Sequence, residues 1–491
     1  MSNKLRNKNM KQHIGTWEVM VAGVALVVAA STLVTDFSGY FSFGWGFAIA
    51  LLLGFGINLL LGLSAAELSV AYPRAGALYD YVSAIFSGRK GKFWGTFVGL
   101  AFFGMFGFTA SGETAAGAFG LQALFQSELD IRYFIVILSV MAVIPNILGI
   151  KTTAWVSAGL LLFMLGIRWF FGLAGFMGWG DTGAWSAVNL QTGSAGLLWF
   201  GEGGILTAGL ALAFWSFVGI EFACSLAEEV KHPQKSLPRG LIFGLVGILA
   251  TSLVMGIGVT GSAPLSVWQN ATEGAAGAHG EAPQLAVGQL MFGDVGYSLM
   301  ALASVAATLG TLTVAFAAMP RIIYSVARDG NFFGPLSRFF GKLHPKFGTP
   351  VAATILTFFL YLLPALYSSA VIDWLYSAAY LWILLYVVFH VLVIINRSFN
   401  PNTKKAFRGS WITVAAAVGI LTTLVALYFA FAGAHWQYGG RALIVTAGAL
   451  LVTVVSFRMT DKPEESPIPA VVEAEEPSSI PAFSTAHELD E

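Results

Sequence analysis

The segment ALAFWSFVGIEFACSLAEEV at residues 211–230 is apolar enough to lie in a bilayer, yet it carries Ser216, Gly219 and Glu221 in mid-stretch. A carboxylate near the centre of a membrane helix costs at least about 2.5–3.5 kcal/mol on insertion scales, so it demands a partner, a proton or a solute. Earlier in the chain, VALVVAASTLVTDFSGYF at residues 24–41 is interrupted in the same way by Ser31, Thr32, Thr35, Asp36, Ser38 and Gly39. The two interruptions lie five apolar segments apart. That spacing points to inverted repeats whose first helices lose their regular winding near the membrane midplane. Unwound backbone there exposes N–H and C=O groups that can hold a solute and an ion.

Around these two segments the chain is built for lipid. Of 491 residues 56% are hydrophobic and 11% charged, and near-uncharged stretches long enough to cross a hydrocarbon core recur throughout. They fall near 17–41, 44–70, 95–125, 132–150, 153–178, 203–228, 239–262, 296–326, 349–368, 371–396, 410–433 and 440–458. The expected fold is therefore an all-α membrane protein of twelve transmembrane helices, a five-plus-five inverted repeat with helices 1 and 6 discontinuous. The repeats cover about 15–180 and 200–397 within a transporter domain at 15–458, and helices at 410–458 are peripheral.

Lys and Arg set the orientation, because positive charge is retained on the cytoplasmic side. With the N-terminal segment 1–14 inside, Arg74, Arg89, Lys151, Arg239, Arg328 and Arg397 all fall on the inner side, whereas the long loops near 179–202 and 263–295 carry acids and no Lys or Arg. The chain is thus expected in a plasma (inner) membrane with both termini cytoplasmic and no cleaved signal peptide. The tail at 459–491 is acidic and proline-rich, a composition that predicts disorder.

Ionisable groups inside spans are the primary site candidates: Asp36, Glu113, Arg168, Glu202 and Glu221. Glu221 follows a glycine and has no Lys or Arg in its span, which suits a proton acceptor or a partner for an ammonium. Glu113 lies among small residues in GFTASGETAAGAFG and is a candidate wall or relay group. Arg168 reads as a snorkelling or paired structural arginine, and Glu202 as an exposed loop end. Trp215 and Phe217 share the second break with Glu221 and could cap a cation or gate the site. Thr308 and Thr311 could line a sodium position. Packing alone would account for a lone Gly219 or Cys224.

Enzyme chemistry finds no support in these motifs. No histidine forms an HExxH-type pair, the lone cysteine has no histidine partner, and no GxxxxGK[ST] phosphate loop occurs. No metal and no cofactor are expected beyond a coupling ion, H+ or Na+.

Four further segments carry a family resemblance. LLGLSAAELSVAYPRAGALYDYV at 60–82, WSFVGIEFACSLAEEVKHPQKSLPRG at 215–240, MPRIIYSVARDGNFFGPLSRF at 319–339 and GTPVAAT at 348–354 resemble, in order, signatures of the amino acid–polyamine–organocation (APC) superfamily. The resemblance implies the five-plus-five architecture, with spans 1, 3, 6 and 8 lining a central site. Trp-Ser-Phe-Val-Gly-Ile-Glu at 215–221 is similar to the basic amino-acid and amine antiporters of that family, which implies a site-lining Trp215 and a gating, proton-sensing Glu221. Arg74 and the Arg328–Asp329 pair are implied to tie cytoplasmic helix ends together.

There are departures. The glycine-rich span 1 break of many members is replaced by Ser31-Thr32-Leu33-Val34-Thr35, and TDFSGYFSFGW at 35–45 looks more like ethanolamine-type permeases. An added acid and fewer exposed amides favour a cationic amine over a zwitterion. Met164 stands where some members carry a coupling lysine.

The resulting expectation is a secondary active symporter or exchanger for an amino acid or related organic amine. The solute is to be held by Ser31, Thr32, Thr35, Asp36, Trp215, Phe217 and Gly219, with Glu221 and Glu113 as proton-coupling or gating groups. The expected partners are a small amine-bearing solute and the lipid bilayer, in a monomer or homodimer, and no nucleic acid. The competing readings are an ethanolamine or polyamine permease and a transporter-like nutrient receptor.

Overall fold

In hydrocarbon every backbone polar group must be satisfied within the protein, which for long apolar runs means helices. The computed structural model describes residues 14–191, 205–273, 282–431 and 435–460, and their regular structure is helical, with no strand among them beyond an isolated bridge between Ile14 and Val230. Glu202 and the acidic tail from 461 onward lie outside the described residues.

The α-helices in chain order are α1 (Thr16–Val27), α2 (Ala30–Phe43), α3 (Trp45–Ala71), α4 (Leu78–Phe86), α5 (Gly88–Leu124), α6 (Ile131–Leu148), α7 (Ile150–Met177), α8 (Leu210–Trp215), α9 (Pro233–Gly261), α10 (Leu265–Glu273), α11 (Pro283–Arg328), α12 (Ser337–Phe340), α13 (Val351–Tyr367), α14 (Val371–Phe399), α15 (Trp411–Ala430) and α16 (His435–Met459). Ten helical stretches among the described residues are long and apolar enough to cross a bilayer, and α1 with α2 forms an eleventh if the bent pair is one span. The helix at the segment expected near 349–368 is α13, apolar but only 17 residues long.

The chain breaks in both segments, but the first break falls at residues 28–29, just ahead of the expected polar cluster at 31–39, which is helical within α2. Between α1 and α2 the chain turns by 60°, with Ala29 in extended conformation. After α8 the chain passes through a turn at Ser216–Gly219 and resumes as a 3-10 helix over Ile220–Glu229. Gly219 is required there: its φ is +116°, and a Cβ added to it would lie 2.3 Å from Leu26 Cδ2, at the end of α1. The two breaks therefore pack against each other. Elsewhere small residues permit close helix contact, as where a Cβ on Gly175 of α7 would meet the Gly258 carbonyl of α9 at 2.2 Å.

The end opposite the α1–α2 turn is held by charge. Ile14 N–H donates to the Glu229 carbonyl and Lys231 N–H to the Ile14 carbonyl, tying the start of α1 to the end of the 3-10 segment. Arg321 pairs with Glu229 at 2.5 Å and Arg328 with Glu228 at 3.5 Å, while Tyr79 Oη donates to Asp329 at 2.9 Å. Arg74 lies 3.9 Å from Asp80, whose carboxyl burial pushes up to about 6. The buried Glu67 of α3, overlooked in the sequence, meets Arg397 at 2.6 Å and accepts from the backbone of Ala406 and Phe407.

Candidate functional site

Breaking a helix leaves the first amides of its second half without intrahelical acceptors. At α2 these are taken up locally. Ala29 N–H donates to Thr32 Oγ1 at 3.1 Å, Ala30 N–H to Glu113 Oε1 and Ser31 N–H to Glu113 Oε2, both at 2.9 Å. Glu113 sits on α5 and is fully buried. Thr308 of α11 places its hydroxyl 2.8 Å from Glu113 Oε1 and 3.0 Å from the Glu113 carbonyl oxygen, so one proton serves either acceptor. Among the described residues no Lys, Arg or His lies within salt-bridge distance of Glu113 or Glu221.

A small closed cavity lies at the meeting of the breaks. Its wall is made by Leu26, Val27, Ala29, Ser31 and Thr32 of the first break, Trp215 and Val218 of the second, Thr109 and Glu113 of α5, Thr311 of α11 and Trp382 of α14. Its volume, about 10 Å³, admits roughly one water in this conformation. Trp215 Nε1–H donates to Ser31 Oγ at 3.3 Å, joining the two breaks across it. The Thr311 hydroxyl donates to the Ala25 carbonyl at 3.1 Å. Next to the cavity Phe102, Phe106 and Phe222 form an aromatic layer with Trp382 of its wall, Phe222 stacking on Phe102 at 5.1 Å and lying tilted against Trp382 at 5.5 Å. Phe106 precedes Glu113 by two helical turns, about 10 Å along α5, so the layer plugs the side toward the charged end.

Of the residues singled out in the sequence, Ser31, Thr32, Glu113, Trp215 and Thr311 reach this wall. Thr308 stands behind it, on Glu113. Asp36, Thr35, Phe217, Gly219 and Glu221 do not line it. Asp36 is buried at the centre of a polar knot: Arg168 Nη1 at 3.4 Å, Ser216 Oγ at 2.7 Å and Ser252 Oγ at 2.9 Å all donate to it. Arg168 also donates to Thr32 Oγ1 at 2.7 Å, so it is a paired structural arginine here. Thr35 donates toward the Thr32 carbonyl, and Phe217 packs edge-on against Phe55. Gly219 shapes the second turn.

Glu221 faces α14. Its Oε1 accepts from Trp382 Nε1 and its Oε2 from Gly219 N–H at 3.2 Å, with Tyr386 Oη 3.5 Å away. Tyr386 gives its own proton to Asn58 Oδ1 at 3.0 Å, so its oxygen is free to accept from a protonated Glu221. Either protonation state of this carboxyl finds hydrogen-bond partners.

A sequence model for amino acid permeases matches residues 14–456. The chain belongs to the amino acid permease family. It is a transporter rather than an enzyme, an integral multi-pass membrane protein that moves a small solute. The permease is 24% identical to the branched-chain amino acid permease BcaP of Bacillus subtilis strain 168 over 85% of this chain and 88% of that protein. It is similar as well to that organism's serine/threonine exchanger SteT, at 26% identity over 73% of this chain and 76% of the other. A third relative there, a methylthioribose transporter, is 23% identical over 89% of this chain and 92% of its own length.

Proposed function

We propose that this permease is an ion-coupled symporter or exchanger that carries an amino acid or related organic amine by alternating access. It would do so as a twelve-helix, five-plus-five inverted repeat in the plasma membrane, with both termini cytoplasmic. The observation that carries the reading is the convergence of both helix breaks on one closed cavity with a carboxylate, two tryptophans and several hydroxyls in its wall. Relatives named for branched-chain amino acids and for serine/threonine exchange support a small amine-bearing solute.

Proton coupling at Glu221 is the favoured mode. The carboxyl lies at the second break without a cationic partner among the described residues, and Trp382 and Tyr386 can serve its two protonation states in turn. Gain or loss of that proton changes the hold of the second break on α14, which links an ion gradient to the opening of the cavity. Sodium at the oxygens around Thr311, Ala25 and Leu26 is the alternative coupling ion.

Uptake of labelled amino acids and amines into proteoliposomes, under an imposed pH gradient, an imposed sodium gradient and neither, tests the reading. Absence of uptake and of exchange across a broad panel removes it.

A further inference from the structure

We propose that the solute of this permease is a cation that carries no carboxylate, a simple organic amine rather than an amino acid; the inference rests on the transport reading above. The amides freed at the start of α2 are the natural seat for an anion, since they present aligned N–H donors and the positive end of a helix. In this protein that seat is filled by the chain itself. Glu113 spans Ala30 N–H and Ser31 N–H with its two oxygens, and Thr32 Oγ1 satisfies Ala29 N–H.

The rest of the wall is equally unsuited to a second carboxylate. The nearby cation, Arg168, is turned toward Asp36 and Thr32 Oγ1 and does not line the cavity. The opposite side is the C-terminal end of α1, at Leu26 and Val27, where the helix dipole is negative. Trp215 and Trp382 supply aromatic groups that favour a cation. A carboxylate entering this space would meet Glu113 at close range with the amides of the break already taken and only the Ser31 and Thr109 hydroxyls left to donate, whereas an ammonium finds a carboxylate, two indoles and the same hydroxyls as acceptors.

The decisive comparison uses pairs that share a side chain and differ by one carboxylate: leucine against isoamylamine, alanine against ethylamine, lysine against cadaverine. In proteoliposomes holding the full chain, the amine of at least one pair is expected to drive counterflow or compete at least about tenfold better than its amino acid. An amino acid moved as well as or better than its amine overturns the inference and leaves the transport reading standing. Movement of neither member of any pair, nor of any solute in a broad panel, sinks both. Glu113→Ala uncovers the two amides, so it is expected to lose amine transport and to gain competition by the amino acid; Glu113→Gln, nearly isosteric, is expected to lose about tenfold in amine affinity. A well-folded Glu113→Gln with unchanged amine affinity also overturns it.

Discussion

Replacing Arg168 by methionine deletes the positive half of a buried ion pair and leaves the rest of α7 apolar. Arg168 and Asp36 are both about 1% exposed, and the guanidinium also serves Thr32 Oγ1 and the Ala29 carbonyl. At 3.4 Å and an effective dielectric near 20, the attraction lost is about 5 kcal/mol. Asp36 keeps the hydroxyls of Ser216 and Ser252, which offset part of it. The net destabilisation expected is about 3–5 kcal/mol, the range for removing one partner of a buried pair. The double variant Asp36→Asn/Arg168→Met carries no stranded charge and is expected to recover most of that loss. Reversible unfolding in mixed detergent micelles, followed for the two single variants, the double and the parent, gives the cycle. A loss below about 1 kcal/mol for Arg168→Met, or a double variant as unstable as the two singles combined, would refute the reasoning.

Glu221→Gln should insert and fold yet transport weakly or without pH dependence; a pH profile of uptake identical to the parent's would exclude the proton role. Gly219→Ala forces a side chain into a φ of +116° and against Leu26, so it should cost about 1–3 kcal/mol in unfolding free energy and slow transport, and a variant of parental stability would show that the turn is not needed. Asp80 is raised to about 6 by burial, with Asp329 adding to the effect and Arg328, Arg74 and the Gly76 N–H opposing it. Its ionised form therefore penalises the folded state above about pH 6, and the penalty fades as pH falls toward 3.8. The interval corresponds to about 3 kcal/mol, so Asp80→Asn should be more stable than the parent at pH 7.5, with a flatter rise in stability toward pH 4.5. Parallel stability–pH curves for the two proteins would contradict this.

Helix breaks are legible in sequence because their causes are local. Gly219 marks the second break itself, whereas Ser31 and Thr32 mark the first only to within a turn, since the chain bends at residues 28–29 and both are already helical in α2. The family resemblance, which implies that spans 1, 3, 6 and 8 line one site, likewise brought Trp215, Glu113 and Thr311 together. Trp382 could not be placed there. It is one tryptophan among 14, in an apolar run without a polar neighbour, and only packing of α14 against the second break brings its N–H to Glu221. Asp36 illustrates the same limit from the other side: its acidity marked it as a solute contact, but its partner is 132 residues away on α7 and takes it off the cavity wall. Glu67 was hidden by its place at a span end, where an exposed acid is unremarkable until Arg397 closes on it.

The three buried carboxylates differ in which helices supply their donors, and that difference assigns them different mechanical parts. Asp36 binds α7, the turn after α8 and α9 to α2, so it fastens both breaks to the two helices beside them. If the breaks move with α7 and α9 as one body, its partners travel with it. Glu113 reaches from α5 and α11 to the start of α2, and Glu221 from the second break to α14, so each spans a boundary between the breaks and the helices they would slide against. On that movement, opening the cavity would change the donors of these two and leave those of Asp36 in place. A solute that replaces what Glu113 or Glu221 loses on opening lowers the barrier to movement; one bound only to groups within a single body does not. Loss of the Asp36 knot should accordingly appear as instability, and loss of Glu113 or Glu221 as altered selectivity or coupling in a protein that still folds.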